Sequence, residues 1–521
     1  MLTHRIINIF QLLGLALLLA TVSCTKDFEE INTNTNDIDW EKSHPDLLLT
    51  GAIEGLSDQI QDVWLGHEIG SCWVQHMAKV QYTDEDRYLP RNDVINSVWA
   101  NLYAGPGVEI QRIIEIAEKA DKKNYKAVAL VLKCYLFSVL TDLYGDIPYK
   151  EAFNIDSALT PKYDTQESIY LDLISKLSYA NTLFDLSSEN ERINGDILFG
   201  NNILKWKKFA NSLRLRLLLR MSGRTDYQSF VTNEFTDMLV TNAASYPIFS
   251  SNSDNAALKY LGSFPNNNPL NETYKTRDDH RVSKTMIDLL YQSTNHAHPD
   301  WRVVVYAKTP AAGGFWAGLP NGLTSAKAAA YLGNGSRMTS VIGDYFIQPE
   351  SMGTLMSYSE LCFILAEAVE QGFVTGSTVT SQQYYEKGVE ASYYQFQEAI
   401  VKLAPTYYLS IPANTVIDSY LSDFKMHNGA WDPAKPLQKI AEQKWVAMFD
   451  QGLQAWFEWR RTNIPQLTPA QDGLNGGKIP VRIRYSSDEY SRNKKQLMEA
   501  ITRQGADDLN TRVWWDVANN Y

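Results

Sequence analysis

The sequence predicts an all-α protein in which paired helices support a loop-rich region. Apolar residues recur with the roughly 3.6-residue period of a helix in many segments, and no stretch shows a sustained period of two. Aromatic and small residues on the facing sides of successive helices favour tetratricopeptide-like units, although no consensus repeat is visible. Two turn-rich segments, 246–271 and 310–336, interrupt the helices. Long ordered loops are uncommon without a function, so we expect these two to carry one.

A cysteine lies near the N-terminus, where an apolar run changes abruptly to charged chain. The run Ile6–Ala20 follows Arg5 and is marginally short for a membrane span, which needs about 20 apolar residues. The residues Thr-Val-Ser-Cys that end at Cys24 resemble a lipobox, in which a peptidase cuts before an acylated cysteine. The sequence therefore predicts a lipoprotein signal peptide at 1–23 and an acidic, polar tether at 24–40. Soluble export after cleavage and a retained span are the alternatives.

The first half of the remaining chain reads as a series of helices. We expect them near 49–79, 93–120 and 124–143. Between 206 and 220 an apolar face runs from Trp206 to Leu217 with helical spacing. Asp164 and Glu167 have the spacing of a capping box and precede the amphipathic run SIYLDLISKL. Each of these patterns predicts a helix rather than a strand.

The second half continues in the same way after the loop-rich middle, where at most a short strand or hairpin is expected. Helices are predicted near 282–293, 382–400 and 435–460. Ser357 and Glu360 have capping-box spacing ahead of LCFILAEAVE. Because helical arrays run long as one cooperative body, we predict a single domain over 41–521 with the two loop-rich insertions.

Composition limits the classes of partner and the redox chemistry. The chain of 521 residues carries 48 basic and 60 acidic residues and a net charge of −12, which disfavours nucleic acid as a partner. Besides Cys24 there are Cys72, Cys134 and Cys362, all in apolar helical contexts. A buried free thiol behaves as a small hydrophobe. We therefore expect no disulfide framework, although one pair could form if the fold brought two thiols together.

The sequence carries no catalytic constellation. HEIGS at 67–71 is not the zinc motif HExxH, and His296-Ala297-His298 has no third ligand at helical spacing. Asp142 and Asp146 are expected to stabilise a turn rather than to form a catalytic pair. We predict no catalytic residue, no metal and no cofactor. Because glycoside hydrolysis needs only two suitably separated carboxyl groups among 60 acidic residues, a hydrolase is kept as an alternative.

Several long segments carry a family resemblance. They read AVALVLKCYLFSVLTDLYGDIPYKEAF (127–153), WKKFANSLRLRLLLR (206–220), MSYSELCFILAEA (356–368), YYEKGVEAS (384–392), EQKWVAMFDQGLQAWFEWRRTNIPQL (442–467) and KIPVRIRYSSDEYSRN (478–493). These segments resemble the SusD/RagB outer-membrane nutrient-binding lipoproteins, in order and over essentially the whole mature chain. By their helical patterns, Trp456, Trp459 and Arg460 within them are expected to pack in the core.

The resemblance implies a fold, a location and partners. It implies a SusD-like fold, in which tetratricopeptide-like units support a loop-rich site for an oligosaccharide or, less readily, a peptide. It also implies a lipid-anchored protein of the outer membrane that faces the cell exterior and sits on a SusC-like TonB-dependent transporter. The stretch Thr25-Lys26-Asp27-Phe28-Glu29-Glu30 resembles the surface-export tag of Bacteroidetes lipoproteins. An adaptor that binds only the transporter is the alternative to a ligand-binding protein.

Aromatic side chains outside the helices are the candidate ligand contacts. The chain has 29 Tyr and 13 Trp, and their flat faces suit the apolar C–H faces of sugar rings. The candidates are Tyr82, Arg87 and Tyr88 in QYTDEDRYLPRN, Phe264 and Asn266 in SFPNNNP, and Phe315 and Trp316 in GGFWAGLPNG. For Trp316, contact with a partner or packing within its own loop is the alternative to stacking on a ligand.

Overall fold

The segments with helical periodicity form helices in the computed structural model, which describes residues 44–154, 158–187, 191–291, 298–408 and 411–518. The signal peptide, Cys24 and the tether predicted at 24–40 lie outside these residues. Within the described part, the helices of the first half are α1 (Asp46–Gln61), α2 (Asn92–Leu102), α3 (Val108–Lys119), α4 (Lys123–Tyr144), α5 (Gln166–Leu183), α6 (Ile203–Met221) and α7 (Gln228–Thr236).

The helices of the second half are shorter around the loops and long again afterwards. They are α8 (Pro269–Tyr274), α9 (Lys284–Leu290), α10 (Val303–Tyr306), α11 (Ser325–Ala330), α12 (Gly335–Met338), α13 (Tyr358–Glu370), α14 (Ser381–Gln395), α15 (Gln397–Tyr407), α16 (Ile417–Met426), α17 (Pro436–Ala447), α18 (Gly452–Thr462), α19 (Ser487–Arg492) and α20 (Lys494–Gln504). The all-α class predicted from the sequence is confirmed.

Short antiparallel strands join distant parts of the chain. The six strands of the described part are β1 (Met77–Lys79), β2 (Ile147–Pro148), β3 (Tyr163–Asp164), β4 (Ala256–Lys259), β5 (His280–Val282) and β6 (Met352–Met356). They form three two-stranded ladders, β1 with β5, β2 with β3 and β4 with β6. In the first ladder Met77 faces Val282 and Lys79 faces His280, so residues 205 and 201 positions apart in sequence become neighbours. Strand β4 lies in the middle region where a short strand was expected.

Helices that follow one another along the chain pack against one another, as tetratricopeptide-like units require. Helix α4 packs between α3 and α5, α5 packs against α6, and α13 contacts both α14 and α17. By length and composition, helix α4 is apolar enough to cross a membrane, but 94% of its most apolar stretch is buried within the protein. A helix that is apolar on all sides and covered in this way is a core helix. Helix α4 is therefore a core helix that packs between α3 and α5.

Several predicted helices are interrupted where the backbone changes its geometry. The segment predicted at 49–79 leaves α-helical form at Asp62, which caps the π-helical segment Val63–Ser71 by accepting a hydrogen bond from Leu65 N at 2.6 Å. The segment predicted at 93–120 is broken by the π-helical turn Tyr103–Gly107, which contains Pro106. Proline lacks the N–H that a helix interior needs. The predicted helical segments are present, but the positions where each one changes from α-helical to π-helical geometry could not be read from the apolar pattern.

The two capping boxes have different outcomes. Ser357 is the N-cap of α13, and its hydroxyl accepts a hydrogen bond from Glu360 N at 3.1 Å. At the other site the prediction was wrong by one residue, because Thr165 rather than Asp164 caps α5. Asp164, in β3, instead accepts a hydrogen bond at 2.9 Å from the backbone N of Lys150, which lies two residues after the end of β2. Thr165 and Asp164 can both accept a hydrogen bond from an unpaired N–H at the start of α5. Asp164 pairs with Ile147 in the β2–β3 ladder, and Thr165 is the residue that caps the helix.

The family-like motifs form a buried polar network in the core. Asp142, at the end of α4, accepts hydrogen bonds from Arg220 Nη1 at 2.7 Å, the Tyr170 hydroxyl at 2.6 Å and Trp515 Nε1 at 2.6 Å. Trp456, Trp459 and Arg460 are at most 1% exposed, which confirms that they pack in the core. Cys72, Cys134 and Cys362 are free and buried, as predicted. These motifs are therefore scaffold, and they join helices α4, α6 and α18.

Helix α4 ends at a glycine that precedes a second aspartate. The helix ends at Tyr144, and Gly145 has a φ of 85° and a ψ of −119°, a positive φ that lies outside the αL region. A Cβ at this position would lie 1.9 Å from the Gln504 side chain. Asp146, the second carboxylate of the motif, accepts hydrogen bonds from Gln166 N at 3.0 Å and Arg503 at 2.8 Å. Both aspartates therefore bind groups that are distant in sequence, 28 to 373 residues from Asp142 and 20 and 357 residues from Asp146, rather than stabilising the turn as the sequence predicted.

Candidate functional site

A cleft of about 380 Å³ opens where β1, the loop after it and the start of β5 meet. It is lined by Trp64, Glu68, Lys79, Tyr82, Asp84, Glu85, Arg91 and Arg277. Trp64 and Glu68 come from the π-helical segment Val63–Ser71, and the pairing of β1 with β5 brings Arg277 beside them. The site is therefore assembled from three segments that only the tertiary fold brings together.

The indole of Trp64 is held by two arginines. The guanidinium carbon of Arg91 lies 4.2 Å from the centre of the Trp64 ring, and that of Arg277 lies 4.9 Å from it. Cation–π contacts of this kind contribute about 0.5–1 kcal/mol each at exposed sites. They also fix the ring in one orientation, which limits the side-chain freedom that ligand binding would otherwise cost.

Tyr82 is held out from the body of the protein by its own backbone. It has a φ of 51° and its residue surface is 71% exposed. The left-handed conformation costs a residue with a Cβ roughly 1–2 kcal/mol. Six residues later Tyr88 also has a positive φ, of 71°, but it is buried and its hydroxyl accepts a hydrogen bond from Ala470 N at 2.8 Å. The anchored Tyr88 therefore supports a loop that presents Tyr82.

The floor of the cleft carries a balanced set of charges. The Lys79 ammonium lies 2.6 Å from Glu68 Oε1 and 3.0 Å from Glu85 Oε2, and Arg91 Nε lies 2.9 Å from Glu85 Oε1. With Asp84 and Arg277, the lining has three acidic and three basic side chains. Because opposite charges are paired, the cleft offers hydrogen-bonding groups without a strong net field.

Glu68 has unused hydrogen-bonding capacity. Its Oε2 atom is buried and accepts no hydrogen bond from the described residues, although Arg91 Nη2 lies 3.9 Å away. Burial raises the pKa of Glu68, while the Lys79 ammonium acts in the opposite direction. A buried carboxylate oxygen without a donor is costly, so a ligand hydroxyl or a water that donated to it would stabilise the site.

Among the residues predicted from the sequence, Tyr82 lines this cleft, and Arg87 and Tyr88 of the same stretch hold its loop to other segments. Arg87 Nε donates a hydrogen bond to the carbonyl of Asp472 at 3.0 Å, and its Nη1 donates one to Asp84 at 3.4 Å. Tyr88 is 2% exposed and bonded to Ala470 N. The stretch QYTDEDRYLPRN therefore contributes one ring to the cleft and two side chains that hold the loop.

The other predicted residues lie in two different places. Phe264 is 75% exposed, and Asn266 accepts a hydrogen bond from Leu261 N at 2.8 Å through its backbone carbonyl. Phe315 is 52% exposed, whereas Trp316 is only 4% exposed and its Nε1 donates to the carbonyl of Ala307 at 2.7 Å. For Trp316 this placement favours packing against the body of the protein, through Ala307 and the ring of Tyr407, over stacking on a ligand.

Sequence reasoning missed Trp64, Lys79, Arg91 and Arg277. Trp64 lies within an apolar helical pattern and reads as a core residue, but in the structure it lies in the π-helical segment after Asp62 and lines the cleft. Arg91 follows Pro90 at the end of the same stretch that contains Tyr82. Because Arg91 lies in the same polar, aromatic loop as Tyr82, its position in the sequence could have identified it as a site residue. Arg277 carries no such signal, because only the β1–β5 ladder brings it near.

Two larger concave surfaces are present elsewhere in the described part. One, of about 600 Å³, is lined by Gln111, Arg112, Glu115, Lys133, Tyr149, Lys150, Phe153 and Asn154. The other, of about 700 Å³, is an open apolar groove formed mainly by α15 and the segment 413–417. Neither contains a residue predicted from the sequence, and neither has an aromatic ring fixed by two guanidinium groups. The Trp64–Tyr82 cleft is therefore the stronger candidate.

Comparisons with known proteins agree with the fold. A family model of SusD-like proteins described as "Starch-binding associating with outer membrane" matches residues 36–486. A solved chitin-binding protein is 27% identical, with a TM-score of 0.75 and coverage of 91% of this chain and 100% of its own. A SusD homolog from Bacteroides fragilis is 25% identical, with a TM-score of 0.72 and coverage of 92% and 100%.

A third structure shows likeness of fold alone. It is a chitin-binding SusD homolog from Flavobacterium johnsoniae, 22% identical, with a TM-score of 0.72 and coverage of 91% of this chain and 100% of its own. No curated protein matches the chain. The match along nearly the full length of these structures confirms the SusD-like architecture.

Proposed function

Because the chain belongs to the SusD-like family, we propose that it binds a neutral oligosaccharide in the Trp64–Tyr82 cleft and delivers it to a SusC-like TonB-dependent transporter of the outer membrane. The observation that carries this proposal is the pairing of a fixed indole with an exposed tyrosine above a charge-balanced floor. The apolar faces of sugar rings pack on aromatic rings, and their hydroxyls bond with the polar rim.

The charge pattern of the cleft supports a neutral ligand. Each carboxylate of the floor has a basic neighbour, and no cation is left in excess to pair with a uronate or sulfate group. The solved relative at 27% identity is named as a chitin-binding protein, and the family is described as starch-binding. Both of those polysaccharides are uncharged, so an uncharged glycan suits the cleft and the family alike.

The location and the anchor complete the proposal. The signal peptide 1–23 is removed, the acylated Cys24 holds the protein in the outer membrane through the tether 24–40, and the domain 41–521 faces the cell exterior. One acyl chain gives only marginal residence, so a multiply acylated cysteine is the sufficient anchor. The protein captures its ligand without catalysis, and the energy for transport comes through the transporter.

Calorimetric titration of the full chain in detergent tests the binding site. The probes are malto-oligosaccharides and chito-oligosaccharides, with oligogalacturonate and a peptide pool as contrasts. Trp64→Ala and Tyr82→Ala should each weaken binding of the neutral glycan by about 1–3 kcal/mol, the scale of a buried large side chain. Phe264→Ala is the matched control, since it removes an aromatic ring that is 75% exposed on a different loop.

Three outcomes would contradict the proposal in different ways. Lost binding in Phe264→Ala with unchanged Trp64→Ala would move the site to the SFPNNNP loop. Absence of binding to every glycan and peptide, together with tight association with the transporter, would favour the adaptor. Release of shorter sugars on incubation would favour the hydrolase.

A further inference from the structure

A cluster of two histidines and one aspartate lies away from the cleft, at the end of α16. Asp423 and His427 are four residues apart, so they lie on the same side of the helix end. His298 reaches them from the segment before α10. One ligand atom from each of the three side chains lies within 4.8 Å of the others. Two distant parts of the chain therefore place two imidazoles and a carboxylate at one point.

The two imidazoles converge on a single carboxylate oxygen. His298 Nδ1 lies 2.6 Å from Asp423 Oδ1, and His427 Nδ1 lies 3.3 Å from the same oxygen. The rings are stacked, with centroids 3.5 Å apart and an angle of 11° between their planes. His427 Nδ1 also lies 2.8 Å from the Asp423 carbonyl. Three good ligand atoms for a borderline divalent cation are thus already close together.

Neighbouring side chains hold the carboxylate and the loop in place. Trp301 Nε1 donates to Asp423 Oδ2 at 3.1 Å, which leaves Oδ1 directed at the histidines. The Trp301 ring is 5% exposed and packs against Tyr420. Asn428 Nδ2 donates to the carbonyl of His298 at 2.6 Å. Such outer partners orient ligands and raise metal affinity.

The charges around the cluster leave room for a cation. Within the described residues, Asp423 forms no ion pair with a lysine or an arginine. The only other such cluster of the described part, Glu68, Asp279 and His280, is different, because Lys79 and Arg277 form ion pairs with its carboxylates and supply the positive charge. The three side chains are also accessible, with exposures of 34%, 25% and 36% for His298, Asp423 and His427.

We propose that His298, Asp423 and His427 bind one Zn²⁺ ion, with water in the remaining positions. Zinc takes histidine nitrogen at about 2.0–2.1 Å and carboxylate oxygen at about 2.0–2.2 Å. The two rings turn out of their stack so that each Nδ1 lone pair points at the ion, and the proton of each neutral ring is then on Nε2. The ion cross-links the segment at 298 to α16. Since zinc competes with protons for the imidazoles, binding weakens in acid.

The test uses the full chain in detergent, purified without a polyhistidine tag and treated with chelator. Competitive titration with ZnCl₂ should show one tight site, and CoCl₂ should give the visible absorption of a nitrogen- and oxygen-bound ion. Asp423→Asn and His427→Gln should each weaken zinc binding by at least about tenfold. Asp418→Asn is the matched control, because it removes another carboxylate of α16 and should leave zinc binding unchanged. Zinc should also raise the Tm of the wild type but not of the two variants.

Two results would overturn the proposal. One is the absence of a zinc site that resists a weak competing chelator. The other is binding that persists in Asp423→Asn and His427→Gln but is lost in His296→Gln, which would place the ion outside this cluster. Circular dichroism of each variant shows whether it remains folded. Glycan binding does not depend on the cluster, so failure here leaves the function proposed for the Trp64–Tyr82 cleft untouched.

Discussion

The substitution Trp316→Ala tests whether the aromatic loop GGFWAGLPNG stabilises the fold or binds a ligand. The ring is 4% exposed and its Nε1 donates to the carbonyl of Ala307 at 2.7 Å. It also contacts the rings of Tyr291 and Tyr407, with centroid distances of 5.4 Å and 4.8 Å. The substitution therefore removes a buried ring from an aromatic cluster and a donor from a buried carbonyl.

The expected cost follows from this burial. Replacement of a core tryptophan by alanine costs about 3–5 kcal/mol, because the apolar transfer energy is lost and a cavity remains. The unit Pro45–Tyr521 has an unfolding entropy of about 2.1 cal/mol/K per residue, so each kcal/mol lowers the Tm by about 1 °C. We expect a Tm about 3–5 °C below that of the wild type and an unchanged glycan affinity, since the ring does not line the Trp64–Tyr82 cleft.

Differential scanning calorimetry and glycan titration on the same samples provide the assay. Phe315→Ala is the control, because this neighbouring ring is 52% exposed and should cost only about 1 kcal/mol. An unchanged Tm for Trp316→Ala together with weaker glycan binding would refute the reasoning. In that case the loop opens in solution, and Trp316 is a ligand platform after all.

Three further predictions follow from buried and N-terminal groups. Asp142→Ala leaves the buried Arg220 guanidinium without the carboxylate that lies 2.7 Å away, so we expect a loss of about 3–5 kcal/mol, measured by chemical denaturation. Burial raises the pKa of Asp516 from 3.8 to about 6, so the native state holds this proton more tightly than the unfolded state. The wild type should therefore lose stability as the pH rises from about 4 to about 6, and Asp516→Asn should lose on the order of 2 kcal/mol less, as Tm values at both pH limits would show. Cys24→Ala should abolish acylation and membrane retention while the circular dichroism spectrum stays unchanged, and retention of this variant in membranes that lack the transporter would contradict the anchor.

The helices and the scaffold motifs were accessible from the sequence because their signals are local. The apolar face from Trp206 to Leu217 predicts α6, and Ser357 predicts the start of α13. The burial of Trp456 and Arg460 also follows from a helical pattern. Helix periodicity and capping depend on residues three or four positions apart, so one sequence carries them.

The candidate site was accessible only in part. Tyr82 was found because it lies in a polar, aromatic loop, whereas Trp64 reads as one more apolar residue of a helix. In the structure Trp64 lies in the π-helical segment after Asp62, lines the cleft and is covered by two arginines. Trp316 shows the opposite case, since a glycine-rich loop predicts an exposed ring but the cluster with Tyr291 buries it.

The sequence by itself determined the all-α class, the helix periods, the lipobox-like N-terminus and the residue types available for binding. The tertiary structure alone decided which of those residues meet. The β1–β5 ladder brings Arg277 to Trp64, and α16 brings Asp423 and His427 to His298, across 125 residues in the case of the His298–Asp423 contact. Periodic patterns arise from interactions between residues that are close in the sequence. A site depends instead on contacts between distant segments, and such contacts produce no periodic pattern.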